Sequence, residues 1–221
     1  MDDRSPLETQ SFVLPFLSGC SSIAPAFVSL GNHEQMLDSS DLETIRNTGV
    51  TLLDNEFTSI TVNGQKIGIG GLTSGYVTDY RRSVAALTAS ERGSDRYPKK
   101  ESIQGMKGLK TASERLPDTS WMQAFSTAPA DYRIILNHHP EYISYVPEGI
   151  DLILSGHAHG GQWRYYSLIH REWKGVFAPG QGWFPKLTSG VIDGRLVISR
   201  GLANTARIPR INNKPELIFI H

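Results

Sequence analysis

The chain is 221 residues long and balances 22 Lys+Arg against 22 Asp+Glu, with 39% apolar and 20% charged residues. That composition excludes a fibrous, low-complexity or charge-driven disordered chain, and the length suits one domain, taken here as residues 1–221, with an insertion. Zero net charge gives no general reason to expect nucleic acid as a partner, Cys20 as the single cysteine excludes an intrachain disulfide, and no apolar run approaches a membrane span. Residues 1–6 have neither the basic start nor the apolar stretch of a secretory leader, so the chain as given reads as soluble and cytoplasmic.

In chain order, residues 7–20 predict a weak helix interrupted by Pro15, leading into a short strand over 26–30 that Gly31 ends. A second helix is signalled by Ser40 as its cap, Glu43 at the reciprocal position and Gly49 as its stop, and 50–53 follows as a strand. Residues 57–72 read as a hairpin about Asn63-Gly64. Residues 74–118 have little sustained periodicity and predict an insertion with one helix near 84–89. A helical turn is expected at 121–125, buried-type strands at 132–136 and 151–155, and further strands at 176–178, 187–191, 196–199 and 217–220, with Asp193-Gly194 as a hairpin turn. The alternation of strands and helices predicts an α/β fold.

The insertion is basic. From Arg81 to Arg115 there are nine basic residues against four acidic ones. It reads either as a solvated loop or as a flap over a site for an anionic substrate.

The histidines carry the chemistry. Five of the seven lie where predicted strands end: His33 after Leu30, His138 and His139 after Leu136, and His157 and His159 after Ser155. Ligand sites in α/β sheets form at the carboxyl ends of strands, and neutral imidazole is the commonest metal ligand. A surface cluster without metal is the plain alternative. Glycines on both sides of His157-Ala158-His159 let the backbone turn sharply beside an ion. A mixed set of imidazole and oxygen donors suits Zn, Mn or Fe.

Gly31-Asn32-His33-Glu34, Asn137-His138-His139-Pro140 and Gly156-His157-Ala158-His159-Gly160-Gly161-Gln162 resemble the later metal motifs of the calcineurin-like metallophosphoesterases. Ser199-Arg200-Gly201-Leu202 and Pro215-Glu216-Leu217 resemble the bacterial branch containing the YkuE- and YaeI-type phosphoesterases. The resemblance implies an αββα sandwich and hydrolysis of a phosphodiester or phosphomonoester by a metal-activated hydroxide. It implies Asn32, His138 and His157 as ligands of one divalent ion and His159 as a ligand of a second. His33 corresponds to the histidine that contacts the phosphate and protonates the leaving oxygen, and His139 takes a supporting position at most. The implied substrate is a small-molecule or lipid-linked phosphate ester.

The family's Asp-x-His and Gly-Asp motifs do not occur before Gly31, and Asp2 aligns with the tail of the second. The expectation is therefore an N-terminally truncated domain without its first two core strands, holding one ion or none of the usual two. A longer form would be open to a membrane anchor. The alternative to an impaired enzyme is a non-catalytic metal- or partner-binding protein whose open sheet edges favour self-association.

Overall fold

The computed structural model describes residues 7, 10–85, 115–203 and 209–220. Most of the basic stretch, including the greater part of the helix expected near 84–89, lies outside the described residues, as does Asp2. The chain divides into two compact units, residues 1–54 with 73–118, and residues 55–72 with 119–221.

In the first unit, helix α1 (Val13–Ile23) begins just before Pro15 and runs through it. The expected interruption does not occur because a proline in a first turn gives up an N–H that has no intrahelical acceptor. Strand β1 (Phe27–Ser29) pairs in parallel with β2 (Thr51–Leu53), Val28 opposite Leu52. Helix α2 (Ser39–Arg46) connects them. Its cap is Asp38 rather than Ser40: the Asp38 carboxylate accepts from the backbone N–H groups of Ser40 and Asp41 at 2.9 Å each, and Asp41 accepts from the Asp38 N–H in return. A carboxylate two residues earlier reaches the same orphan donors and also complements the helix dipole. Leu7, Leu30, Ile45, Val50, Leu52 and Val77 form the buried core of this unit. Helix α3 (Gly75–Ala85) starts nine residues before the helix expected in the insertion. Asp54 fixes its approach by accepting from the Thr73 hydroxyl at 2.6 Å and from Arg81 at 2.7 Å.

The second unit is organised by a six-stranded sheet. Its strands are β3 (Glu56–Val62), β4 (Gln65–Leu72), β5 (Tyr132–Asn137), β6 (Leu152–Ser155) and, further on, β11 (Gly190–Ile192) and β12 (Leu196–Ile198). The order is β11-β12-β6-β5-β4-β3. The inner four strands run parallel, with β3 and β11 antiparallel at the edges. The β3–β4 hairpin turns at Asn63-Gly64 with φ of 51° and 83°, the left-handed pair that a two-residue turn demands. Helix α4 (Met122–Thr127) covers this sheet. Gly68 and Gly70 make room for it, since a Cβ at Gly70 would come within 2.9 Å of the Trp121 and Phe125 rings. Leu72, Met122, Phe125, Ile135, Ile153, Leu196 and Ile198 form its core. Each such side chain contributes ~1.5–3 kcal/mol by leaving water.

Beyond β6 the chain forms a hairpin that periodicity did not reveal, β7 (Arg164–Ser167) with β8 (Glu172–Gly175). A short antiparallel pair follows, β9 (Phe177–Ala178) with β10 (Gly182–Trp183). Residues 217–220, expected as a strand, form none. The fold is α/β, with mixed sheets and flanking helices.

Candidate metal centre

Strands β5 and β6 are parallel neighbours, with Leu136 opposite Leu154, so the segments that leave their carboxyl ends emerge side by side. After β5 come His138 and His139, and Pro140 then starts a 3₁₀ turn (Pro140–Tyr145). Pro140 suits that first position because its fixed φ is already helical and no N–H is needed. The turn carries Glu141 back towards the strand ends. The Asn137 amide donates to the His139 carbonyl at 2.8 Å, and the Gly156 N–H donates to the His138 carbonyl at 3.1 Å, tying the two loops together.

The result is a group of three donors. One ligand atom from each of His139, Glu141 and His157 lies within 4.8 Å of the others. His139 is fully buried and His157 nearly so. Their ring centroids are 4.1 Å apart, and His139 Nδ1 stands 3.4 Å from a Glu141 carboxylate oxygen. His138 flanks the group, its ring 5.1 Å from each of the other two imidazoles. His159 lies two residues beyond His157 on the next turn and is not one of the three.

Glu141 provides the test of whether these residues fit a cation. Both of its carboxylate oxygens are buried and accept no hydrogen bond among the described residues. An ionised carboxylate removed from water without donors is costly. A divalent ion bound by two imidazoles and this carboxylate satisfies it, and the nitrogen–oxygen donor set is the kind Zn, Mn and Fe accept. The residues present fit a metal ion.

The loop between Gly156 and Gln162 has an unusual backbone. His157, His159, Gly160, Gly161 and Gln162 take φ of 61°, 48°, 66°, 79° and 55°. For the three residues that are not glycine this costs ~1–2 kcal/mol each. Backbone strain of this kind persists only where surrounding contacts over-determine it.

Asn32 and His33 belong to the first unit. They open a 3₁₀ turn (Asn32–Met36) directly after the strand end. Glu34 closes that turn from within, its carboxylate accepting from the buried Gly31 N–H at 2.7 Å. Helix α3 packs against the turn. Burial pushes the phenol of Tyr80 on that helix up to about 12, so it remains a neutral hydroxyl through the physiological range.

Sequence reasoning missed Glu141 and gave His139 a supporting place. The available signal was an acidic residue two positions after a strand-end histidine, separated by a proline that forces a turn. A set of basic residues, Arg164, Arg200 and Arg210, also lies in the second unit. Burial and then the Arg200 charge lower the guanidinium pKa of Arg164 and of Arg210. Burial alone would raise Glu216, but its hydrogen bonds to Arg200 and the positive charges of Arg200 and Arg164 bring it below the ordinary carboxylate value.

Comparison with known proteins places these observations. A family model described as calcineurin-like phosphoesterase matches residues 2–161. No curated protein matches the chain. A solved structure, a putative 5'-nucleotidase from Staphylococcus aureus in complex with alpha-ketoglutarate, is similar with 15% identity and a TM-score of 0.42 over 89% of this chain and 37% of that one. The chain therefore spans little more than a third of that protein's length. Among the described residues, no helix is long and apolar enough to cross a membrane.

Proposed function

Because the chain belongs to the calcineurin-like phosphoesterase family, we propose that it hydrolyses phosphate esters with a divalent metal ion held at the carboxyl ends of β5 and β6. The observation that carries this reading is the buried Glu141 carboxylate, which accepts no hydrogen bond among the described residues and stands beside His139 and His157. A bound Zn, Mn or Fe ion supplies charge neutralisation at phosphoryl oxygens and lowers the pKa of water.

The chain's own residues do the rest. His139 and His157 present ring-nitrogen ligand atoms, and Glu141, whose oxygens accept no hydrogen bond among the described residues, offsets part of the ion's charge. In the same reading His138 adds to the coordination of that ion and His159 serves a second one, as the family motifs imply. His33 donates the proton that the departing ester oxygen requires, imidazole being the side chain that ordinarily exchanges a proton near neutral pH. The closing Ser199-Arg200-Gly201-Leu202 supports placement in the YkuE- and YaeI-type branch, and phosphodiesters are the proposed substrate class.

The test is hydrolysis of bis(4-nitrophenyl) phosphate by the 221-residue chain, with Mn²⁺ added or chelated, alongside His33→Ala. The expected result is Mn²⁺-dependent turnover that the chelator abolishes and the substitution lowers by ~10²–10⁴-fold, the usual worth of a positioned proton donor. Folded protein that binds Mn²⁺ without turning over any phosphate ester would replace this reading with a non-catalytic metal-binding one.

A further inference from the structure

The strained loop that carries His157 and His159 is not held by its own sequence. Within it, the Gly161 N–H donates to the Ala158 carbonyl at 2.8 Å and the Gln162 N–H to the His159 carbonyl at 3.2 Å. These bonds close the turn without fixing it against the sheet. What fixes it lies outside the turn, in part far along the chain. The Asn213 side-chain amide donates to the His159 carbonyl at 2.6 Å and to the Gln162 carbonyl at 3.1 Å, clasping both ends of the turn. Arg164 donates to the carbonyl between them, Gly160, at 3.0 Å, and is itself anchored on the Ser189 hydroxyl at 2.7 Å and the Trp173 carbonyl at 2.9 Å.

Two further contacts make the arrangement specific. Gly161 lies against the backbone of Gly175 so closely that a Cβ on either would collide with the other's Cα. A Cβ on Gly160 would strike the Asn213 carboxamide and the Arg200 stem. Asn213 is only 4% exposed, so neither of its bonds to the loop is shared with bulk water. The residue is seated by the backbone beside it: Ile211 accepts from the Arg164 N–H at 3.0 Å and donates to the Gln162 carbonyl at 3.3 Å.

We propose that Asn213 is a positioning residue for the metal centre, its carboxamide, with Arg164, imposing the backbone conformation that sets the directions of the His157 and His159 imidazoles. The inference rests on the reading of these histidines as metal ligands, and it deepens that reading by adding an amide 51 residues beyond Gln162 to the residues on which the centre depends. Removing the carboxamide takes one of two donors from each carbonyl, leaving His159 only the Gln162 N–H and Gln162 only the Ile211 N–H among the described residues, and frees three strained non-glycine residues to relax. The histidines then lose their fixed orientation while the sheet beneath them stays intact.

The experiment uses the full chain with Asn213→Ala, and Asn213→Ser as a milder variant that retains one donor. Two readouts are taken: Co²⁺ titration followed by its visible absorption, and long-range ¹H–¹⁵N imidazole spectra of the metal-free protein. We expect Asn213→Ala to weaken Co²⁺ binding by ~10–100-fold, the usual cost of losing a residue that orients a ligand, with an altered absorption band. We expect the metal-free spectra to show shifted His157 and His159 signals while His33 and His170 stay in place, and Asn213→Ser to fall between Asn213→Ala and the parent chain. Should the alanine variant fail to fold, the serine variant decides by the same two readouts. Imidazole signals and Co²⁺ affinity identical to those of the parent chain would overturn the proposal, as would a lowered melting temperature with unchanged imidazole signals. A parent chain that takes up no Co²⁺ would defeat the metal reading alone, since the metal-free imidazole spectra still decide whether Asn213 sets the histidines.

Discussion

The two histidine-bearing turns are stabilised in opposite ways. In the first unit the turn holding Asn32 and His33 is closed by a partner three residues away, the Glu34 carboxylate on the Gly31 N–H. In the second, the loop holding His157 and His159 is fixed in place by an amide 54 residues from the carbonyl it binds. The supporting structures differ in the same sense. Among the described residues the first unit has one pair of three-residue strands, whereas the second has a six-stranded sheet with four parallel strands at its centre and two further strand pairs. A local closure costs little chain entropy and forms wherever its residues occur together. A distant one exists only after the sheet has brought its ends together, so it reports on the whole unit. The second turn should therefore respond to damage well away from itself.

The largest effect expected from that difference is at Ile153, fully buried at the centre of the six-stranded sheet. Ile153→Ala removes most of a core side chain between β5 and β12 and should cost ~2–5 kcal/mol in urea-induced unfolding. Because β6 leads directly into the metal loop, the same variant should also weaken Mn²⁺ binding under conditions where it remains folded. A loss of stability with Mn²⁺ affinity untouched would break the proposed link between sheet and loop.

Next in size is a direct contrast of the two turns by Mn²⁺ calorimetry. His157→Ala removes one of three clustered donors and should weaken binding by at least the ~10–100-fold that orienting residues alone are worth. Asn32→Ala removes none of the three clustered donors, His139, Glu141 and His157, and should cost less than about 10-fold in affinity. Equal losses for the two would show that the second unit does not bind the ion on its own donors.

The same local–distant distinction decides what the sequence reveals. The Asn63-Gly64 turn, the strands that end in histidine and the hairpin at Asp193-Gly194 rest on residues adjacent in the chain, and all three appear where periodicity and turn chemistry place them. The Glu34 closure is equally short in range. Asp38 displaced Ser40 as the cap of α2 because two acceptable caps lay within two residues, and local chemistry does not rank them. Glu141 escaped notice because its role depends on a 3₁₀ turn bringing it to the end of the neighbouring strand. Asn213 is invisible for a stronger physical reason: the carbonyls its carboxamide binds, those of His159 and Gln162, lie more than fifty residues away in the chain. The family match to residues 2–161 stops short of it as well.

The smallest effect concerns the ion pair that seats the closing segment. Glu216 accepts from the Arg200 backbone N–H and from its guanidinium at 3.0 Å each, and donates its own N–H to the Gly201 carbonyl at 3.1 Å. Burial opposes its charge, yet these bonds and the neighbouring positive charges hold its carboxyl below the ordinary value of 4.5. A carboxyl depressed in the folded state binds fewer protons there than when unfolded, so its stabilisation is complete above that ordinary value. It fades as the pH falls through the folded one. Because the pair is partly solvated, the amount at stake is under ~1 kcal/mol. Glu216→Gln keeps the shape and removes the titration. Unfolding free energies followed from pH 6 down to about pH 3 should therefore fall more steeply for the parent chain than for the variant, the two curves converging at the acid end. Parallel curves would mean that the Arg200–Glu216 pair is no tighter in the fold than in the open chain. In that case the closing segment, and Asn213 with it, owes its seat to bonds other than this pair, among them the backbone bonds of Ile211 and Gly201 and the Trp163 indole on the Pro209 carbonyl.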